Sequence, residues 1–308
     1  MRSDFQLTCR SLSWLLALGL LLSPVAPAAS AAEGQDPGTP QDSPKKLPPK
    51  LKAWPKPKSE SELKDQIARL RQDRSKELAV EAQETLISMG ASAAPLLVRS
   101  LGREKDKHAR KRILAVLDEV VDQRHTRLVA ESFDNKSLDI RVWALRTVSL
   151  TPDPQLKKAV AGIWKKIERR GDKASELERY AAGLCLLSVQ DLRGLDPVFD
   201  ATISHWKERA GDIRLSLNGL RSETLDAALL ERLKSKDRKQ QSAALRLISA
   251  GGTPATLSAV APFLDSGNPT LRVDAINACR VLIAGEPPLD KIPVFEAIEL
   301  AQAWKERI

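Results

Sequence analysis

Arg112-Ile-Leu-Ala115, Arg141-Val-Trp-Ala144, Arg179-Tyr-Ala-Ala182 and Arg272-Val-Asp-Ala275 each set an arginine three positions before an alanine, near the start of an apolar helical run. Arg214-Leu-Ser-Leu217 and Gln241-Ser-Ala-Ala244 fall in register as weaker copies. Successive copies are separated by 29, 38, 35, 27 and 31 residues, each the length of two short helices and two turns. One helical hairpin cannot bury both of its apolar faces, so a row of them must stack and gain stability from nearest-neighbour contact. The recurrence therefore predicts an all-α fold, an α-solenoid (superhelix) of about seven stacked helical hairpins.

Two of the units can be laid directly on each other. Leu86-Ile-Ser-Met-Gly90 leads through Pro95 to an apolar helix over Leu97–Leu101, and Leu247-Ile-Ser-Ala-Gly251 leads through Pro254 to one ending at Leu264. In both, glycine is read as a left-handed helix stop and proline as a first-turn residue of the next helix. Polar turns are expected at Arg103–Asp106, Asp134–Asp139, Gly171-Asp172, Gly211-Asp212, Ser235–Asp237 and Ser266–Pro269. Composition agrees: the 308 residues are 42% hydrophobic and 29% charged, which excludes wholesale disorder and a polytopic membrane protein. Fifteen glycines and one tyrosine argue against a β-sandwich or barrel.

These residues resemble the HEAT-repeat family, in particular short HEAT-like repeats of the phycobilisome-lyase type. The resemblance rests on Asp139-Ile-Arg141-Val-Trp-Ala-Leu, Asp212-Ile-Arg214, Asn268-Pro-Thr-Leu-Arg272-Val-Asp-Ala275 and the Gly90-Ala-Ser-Ala-Ala-Pro-Leu-Leu97 run, and spans roughly residues 75–290. It implies a fold more than a function, because such repeats serve adaptors, lyases and repair enzymes alike. It also implies that Asp139, Arg141, Asp212, Arg214, Arg272 and Asp274 form a hydrogen-bonded ladder between units. Terminal helices should present polar outer faces, a role expected of Leu63–Leu70 and of the last segment with Phe295, Ile298 and Trp304.

The N-terminus has the three parts of an export signal over residues 1–32. Arg2 and Arg10 precede an apolar run Leu12–Leu22, and a small-residue exit at Ala29-Ser-Ala-Ala32 predicts cleavage near Ala31 or Ala32. Pro24 and Pro27 stop the run well short of the roughly 20 residues a spanning helix needs. The expected localisation is periplasmic or secreted, with no transmembrane span in the mature chain. Residues 33–58 read as a Pro/Lys-rich linker: seven prolines lie between Gln35 and Lys58, and six lysines with no acid lie between Lys45 and Lys58. The Lys45–Lys58 arm is either a tether contacting anionic cell-wall polymer or membrane surface, a role Trp54 would suit, or a plain solvated spacer. The solenoid domain is assigned to residues 59–308, with Ser59 and Glu62 as its first capping box.

The sequence holds no phosphate-binding glycine loop, nucleophile elbow or His-Glu-x-x-His helix. His108, His125 and His205 fall in different units without metal-pair spacing, and are read as surface or partly packed residues. No catalytic, metal or cofactor residue is assigned. Cys185 and Cys279 read as buried small hydrophobes too far apart for a disulfide. Charge remains: the chain carries +9 overall, with clusters around Arg103, Lys107 and Arg110; Lys165, Lys166, Arg169 and Arg170; and Arg232, Lys234, Lys236 and Lys239. They are expected at the end of a unit's second helix or the turn into the next unit. Each would form part of a basic ridge along one rim, or be neutralised locally by Glu104, Asp106, Glu168, Asp172, Glu231 and Asp237. Export makes nucleic acid an improbable partner. The functional expectation is a non-enzymatic binding scaffold or adaptor for a protein or an anionic envelope polymer. The alternatives are an accessory subunit or maturation factor of an envelope enzyme complex, and a passive envelope spacer.

Overall fold

The structure, a computed structural model, describes residues 60–72, 75–218 and 220–308. The expected export signal and Pro/Lys arm with Trp54, and Ser59 of the expected capping box, lie outside the described residues. The described residues belong to one compact unit, Ala53–Ile308. They form an all-α stack of fourteen helices. Six pairs follow the chain: α1 (Glu60–Leu70) with α2 (Lys76–Met89), α3 (Ala94–Arg103) with α4 (Lys107–Val120), α5 (Thr126–Ala130) with α6 (Leu138–Leu150), α7 (Lys157–Arg170) with α8 (Glu176–Ser188), α10 (Glu223–Leu233) with α11 (Arg238–Gly251), and α12 (Leu257–Leu264) with α13 (Pro269–Cys279). Between the fourth and fifth pairs runs α9 (Leu195–Leu217), and α14 (Val294–Lys305) packs last against α13 and α12. Each helix packs on its sequence neighbours, which is the α-solenoid expected from the recurrence.

Local chemistry sets the helix borders. Ser75, Asp106, Asp237 and Asn268 cap α2, α4, α11 and α13 with their side-chain oxygens, each cap contributing about 1 kcal/mol. Gly90 stops α2 at φ 62°, where a side chain would be strained. Gly251 departs from that reading, since α11 runs on to Gly252 at φ −74° without a left-handed residue. Its missing side chain serves packing, because a Cβ there would meet the Leu217 Cβ at 3.0 Å.

Borders around Arg179 and Arg214 are unusual for two reasons. Every residue from Tyr180 to Val189 is buried, so α8 beyond its exposed first turn is enclosed on all sides. Ala181, Ala182, Cys185 and Leu186 face the core built by α1–α7, while Tyr180, Leu184 and Leu187 face the core built by α9–α14. With α8 sunk between the two, α6 and α9 meet directly through Arg146–Asp212 at 2.6 Å and Ser149–Ser216 at 3.0 Å. The second reason is that Gly211-Asp212 makes no turn. It lies inside the second of two helical segments of α9, 195–204 and 206–217, that meet at a sharp break at His205 (φ −138°, ψ 32°). The first runs back along α8, with Gly194 at Leu186 and Pro197 at Gly183, and the second returns with His205 and Arg209 at Glu176. A hairpin is therefore present, but its turn falls at His205.

Two further expectations are corrected. The outer face of α14 is not polar: Phe295 is 84% and Ile298 49% exposed, and only Trp304 of the three is buried. His125 is fully buried, with Nε2 3.1 Å from the Ala91 carbonyl oxygen and Nδ1 accepting from the Asp122 N–H, and burial holds its pKa below the usual histidine value. Cys185 and Cys279 are free buried thiols belonging to different cores.

Candidate functional site

The repeated arginine acts within its own hairpin. It occupies the fourth residue of α4, α6, α8 and α13 (Arg110, Arg141, Arg179, Arg272) and bonds back to carbonyls in the turn just before the helix. Arg110 reaches Lys105 O at 2.8 Å, Arg141 reaches Asn135 O at 2.8 Å, Arg272 reaches Ser266 O at 2.8 Å, and Arg179 bonds Gly171 O. The guanidinium thereby satisfies acceptors that the end of the preceding helix leaves open. In α4 the equivalent is Arg110 and not Arg112, which instead donates to Leu70 O at 2.6 Å. Buried alanine at the seventh position, with Ile113 in α4, explains why spacing from alanine misplaced that unit.

The expected ladder between units is partial. Arg141 bridges to Glu178 at 2.7 Å, Asp212 to Arg146, and Asp274 to Arg246 at 3.1 Å. Asp139 only approaches Arg110 at 4.0 Å, and Arg272 stays within its own turn. The Arg214 side chain makes no ion pair or hydrogen bond among the described residues.

The basic clusters lie in the turns α3–α4, α7–α8 and α10–α11, inside hairpins and not between them. Alternating helix direction brings these turns to one edge of the stack. Arg110, Lys166, Arg170, Arg232 and Lys234 are engaged: Arg110 with turn carbonyls, Lys166 with Asp134 (2.6 Å), Arg170 with Glu178 (2.8 Å), Lys234 with Glu231 (2.7 Å) and Arg232 with Asp196. Arg103, Lys107, Lys165, Arg169, Lys236 and Lys239 are exposed and have no ion pair among the described residues. Small hollows of about 250, 360 and 500 Å³ lie beside Arg103, Arg169 and Lys236, one at each cluster. Of the acids expected to neutralise the edge, Asp106 and Asp237 instead cap helices and Glu104 pairs with Arg71 at 2.6 Å.

A larger cleft, about 740 Å³, opens between α9, α11, α13 and the loop that precedes α14. Trp206 stands just past the α9 break, so the bend at His205 carries the indole into the cleft. Two guanidiniums lie over it, Arg214 at 5.2 Å and Arg246 at 5.3 Å from the ring centroid. Such cation–π contacts fix a guanidinium at a cost in hydration. Arg246 is neutralised by Asp274, which also accepts from Ser242; burial nevertheless raises the Asp274 pKa above the usual carboxylate value. Arg214 is half-buried, and burial lowers its pKa against the opposing pull of Asp290. Lys207 and Lys291 stand at the mouth, while Val273, Leu289 and Ile292 supply apolar wall. The loop is pinned by Asn277, whose side chain donates to Leu289 O at 3.0 Å and accepts from Leu289 N at 2.7 Å. Just before it, α13 passes through a π-helical turn over Arg280–Ala284 and stops at left-handed Gly285.

Sequence reasoning did not find this cleft. Trp206 and Arg214 are eight residues apart in one helix, and Arg246 comes from another, so no local motif marks them. Among the described residues, no group of three or more His, Cys, Asp or Glu is placed to hold a metal ion, and no helix is long and apolar enough to cross a membrane. Fold and cleft define a helical-repeat protein with a mixed cationic and apolar groove. The chain matches no protein-family model, and no curated protein matches it significantly.

Proposed function

We propose that this chain is an exported, non-enzymatic scaffold of HEAT-like type that holds a protein partner against the face formed by α9, α11 and α13. The observation that carries the reading is Arg214, a half-buried cation over the Trp206 ring that makes no ion pair among the described residues and feels Asp290 only at longer range. A charge half removed from water without a close ion pair is left under-solvated, so its position at the wall of an open cleft favours a partner that supplies a nearer counter-charge. The basic edge adds a weaker, salt-screened attraction for the same anionic partner and speeds encounter. The test is site-specific photo-cross-linking. Benzoylphenylalanine replacing Thr270, an exposed cleft residue, should capture a discrete protein from the envelope fraction, and the same probe replacing Leu192, an exposed residue that does not line the cleft, should not. Equal, smeared capture at both positions would overturn the scaffold reading.

A further inference from the structure

We infer that the α9–α11–α13 cleft recognises a carboxylate side chain, Asp or Glu, carried on an apolar peptide segment of the partner, with Arg214 as its anchor. The inference rests on the scaffold reading and names the chemistry of its ligand. Three observations converge on it. The Arg214 guanidinium lies over the indole of Trp206, 5.2 Å from the ring centroid, a contact that restricts the side chain and reduces the freedom lost on binding. A planar, fixed fork of N–H donors suits a carboxylate held by two hydrogen bonds. The second guanidinium on the ring, Arg246, is already committed to Asp274, which leaves Arg214 as the unmatched charge of the pair.

The wall decides which carboxylate. Val273, Leu289 and Ile292 line the same cleft as Arg214. Aliphatic side chains flanking an acidic residue can fill that wall, whereas an acidic polysaccharide has none to offer. Lys207 and Lys291 at the mouth outnumber the single exposed carboxylate there, Asp290, so an approaching anion meets a net attraction. Asn277 holds the loop closed on one side through both of its amide atoms, which shapes the cleft before any ligand arrives.

The experiment titrates the full chain with a capped heptapeptide, Gly-Val-Leu-Glu-Leu-Val-Gly, and with its Gln counterpart. It follows the indole N–H resonance of Trp206, assigned by its loss in Trp206→Phe. The Glu peptide should bind at least about tenfold more tightly than the Gln peptide. Arg214→Gln should abolish that ratio, and Arg214→Lys should keep only a small part of it, because an ammonium cannot form the fork. Lys207→Gln combined with Lys291→Gln should weaken binding at about 0.05 M salt and leave it unchanged at about 0.5 M. Equal binding of the two peptides, or a ratio that survives Arg214→Gln, would overturn the assignment. So would a shift of the Trp206 resonance by polygalacturonate or inorganic phosphate at lower concentration than by the Glu peptide. Cross-linking at Thr270 separates this failure from that of the scaffold: capture that persists equally in Arg214→Gln removes only the carboxylate assignment, and absence of capture in the wild type removes the scaffold.

Discussion

The carbonyl oxygen of Gly183 on α8 occupies the space that a methyl group on Gly194 would need, so the two backbones touch where α8 meets the start of α9. A Cβ on Gly183 would likewise fall 2.9 Å from the Gly194 carbonyl oxygen. This contact lets α8 sink between the two halves of the core, and with it α6 reaches α9.

Gly194→Ala should therefore destabilise the chain by about 2–3 kcal/mol, since backbone has to move to make room. Gly211→Ala is the control. It lies within α9 with open space around it, and should stabilise by about 0.5–1 kcal/mol through helix propensity alone. Urea unfolding midpoints of the two variants should move in opposite directions.

Glu178 supplies the pH dependence. Its carboxylate is buried between Arg141 and Arg170; burial alone would raise its pKa, but hydrogen bonds from the two guanidiniums bring it below the ordinary value of 4.5. A lowered folded value means that the stabilisation is present above about pH 4.5 and is lost as the pH falls through the folded pKa. Glu178→Gln should cost about 3 kcal/mol at pH 7, because it leaves Arg141 buried without its charge. The gap from wild type should shrink as the pH falls below 4.5 in urea titrations.

Gln190 ends α8 at φ 59°, with its N–H bonded to Leu187 O at 2.8 Å and the Asp191 N–H to Leu186 O at 3.0 Å. This double bond pattern is a Schellman stop that favours glycine. Gln190→Gly should raise the thermal midpoint, by the equivalent of about 0.5–1 kcal/mol, and Gln190→Val should lower it.

Asn277→Ala removes both bonds to Leu289 while leaving Arg214 and Trp206 in place. The expected loss is about 1–3 kcal/mol of stability. Faster amide hydrogen exchange should be confined to the loop and its neighbours, which mass spectrometry of the exchanged chain reads directly.

Much of the helical order was legible without coordinates. The polar turns that contain Asp106, Asp237 and Asn268, the helix stop at Gly90 and the roughly thirty-residue recurrence could all be read, and the structure shows the first three residues capping the helices that follow those turns. Arg179 could be seen to repeat, but its partner, a carbonyl of its own turn, could not, because an arginine that staples a turn and one that bridges units leave the same letter in the sequence. The turn expected at Gly211-Asp212 failed for a related reason. Gly and Asp suit a turn locally, yet Asp212 is held within α9 by Arg146, a residue 66 positions earlier.

By itself the amino-acid order determined that this protein is helical, repeated and stacked, since helix period, caps and spacing are local quantities that survive without knowledge of neighbours. Only the tertiary structure decided that α8 is enclosed, that α9 bends at His205 where no turn residue marks it, and that Trp206, Arg214 and Arg246 share one cleft. Those outcomes depend on which distant surfaces are pressed together, and burial energy over a whole interface outweighs the preference of any single residue.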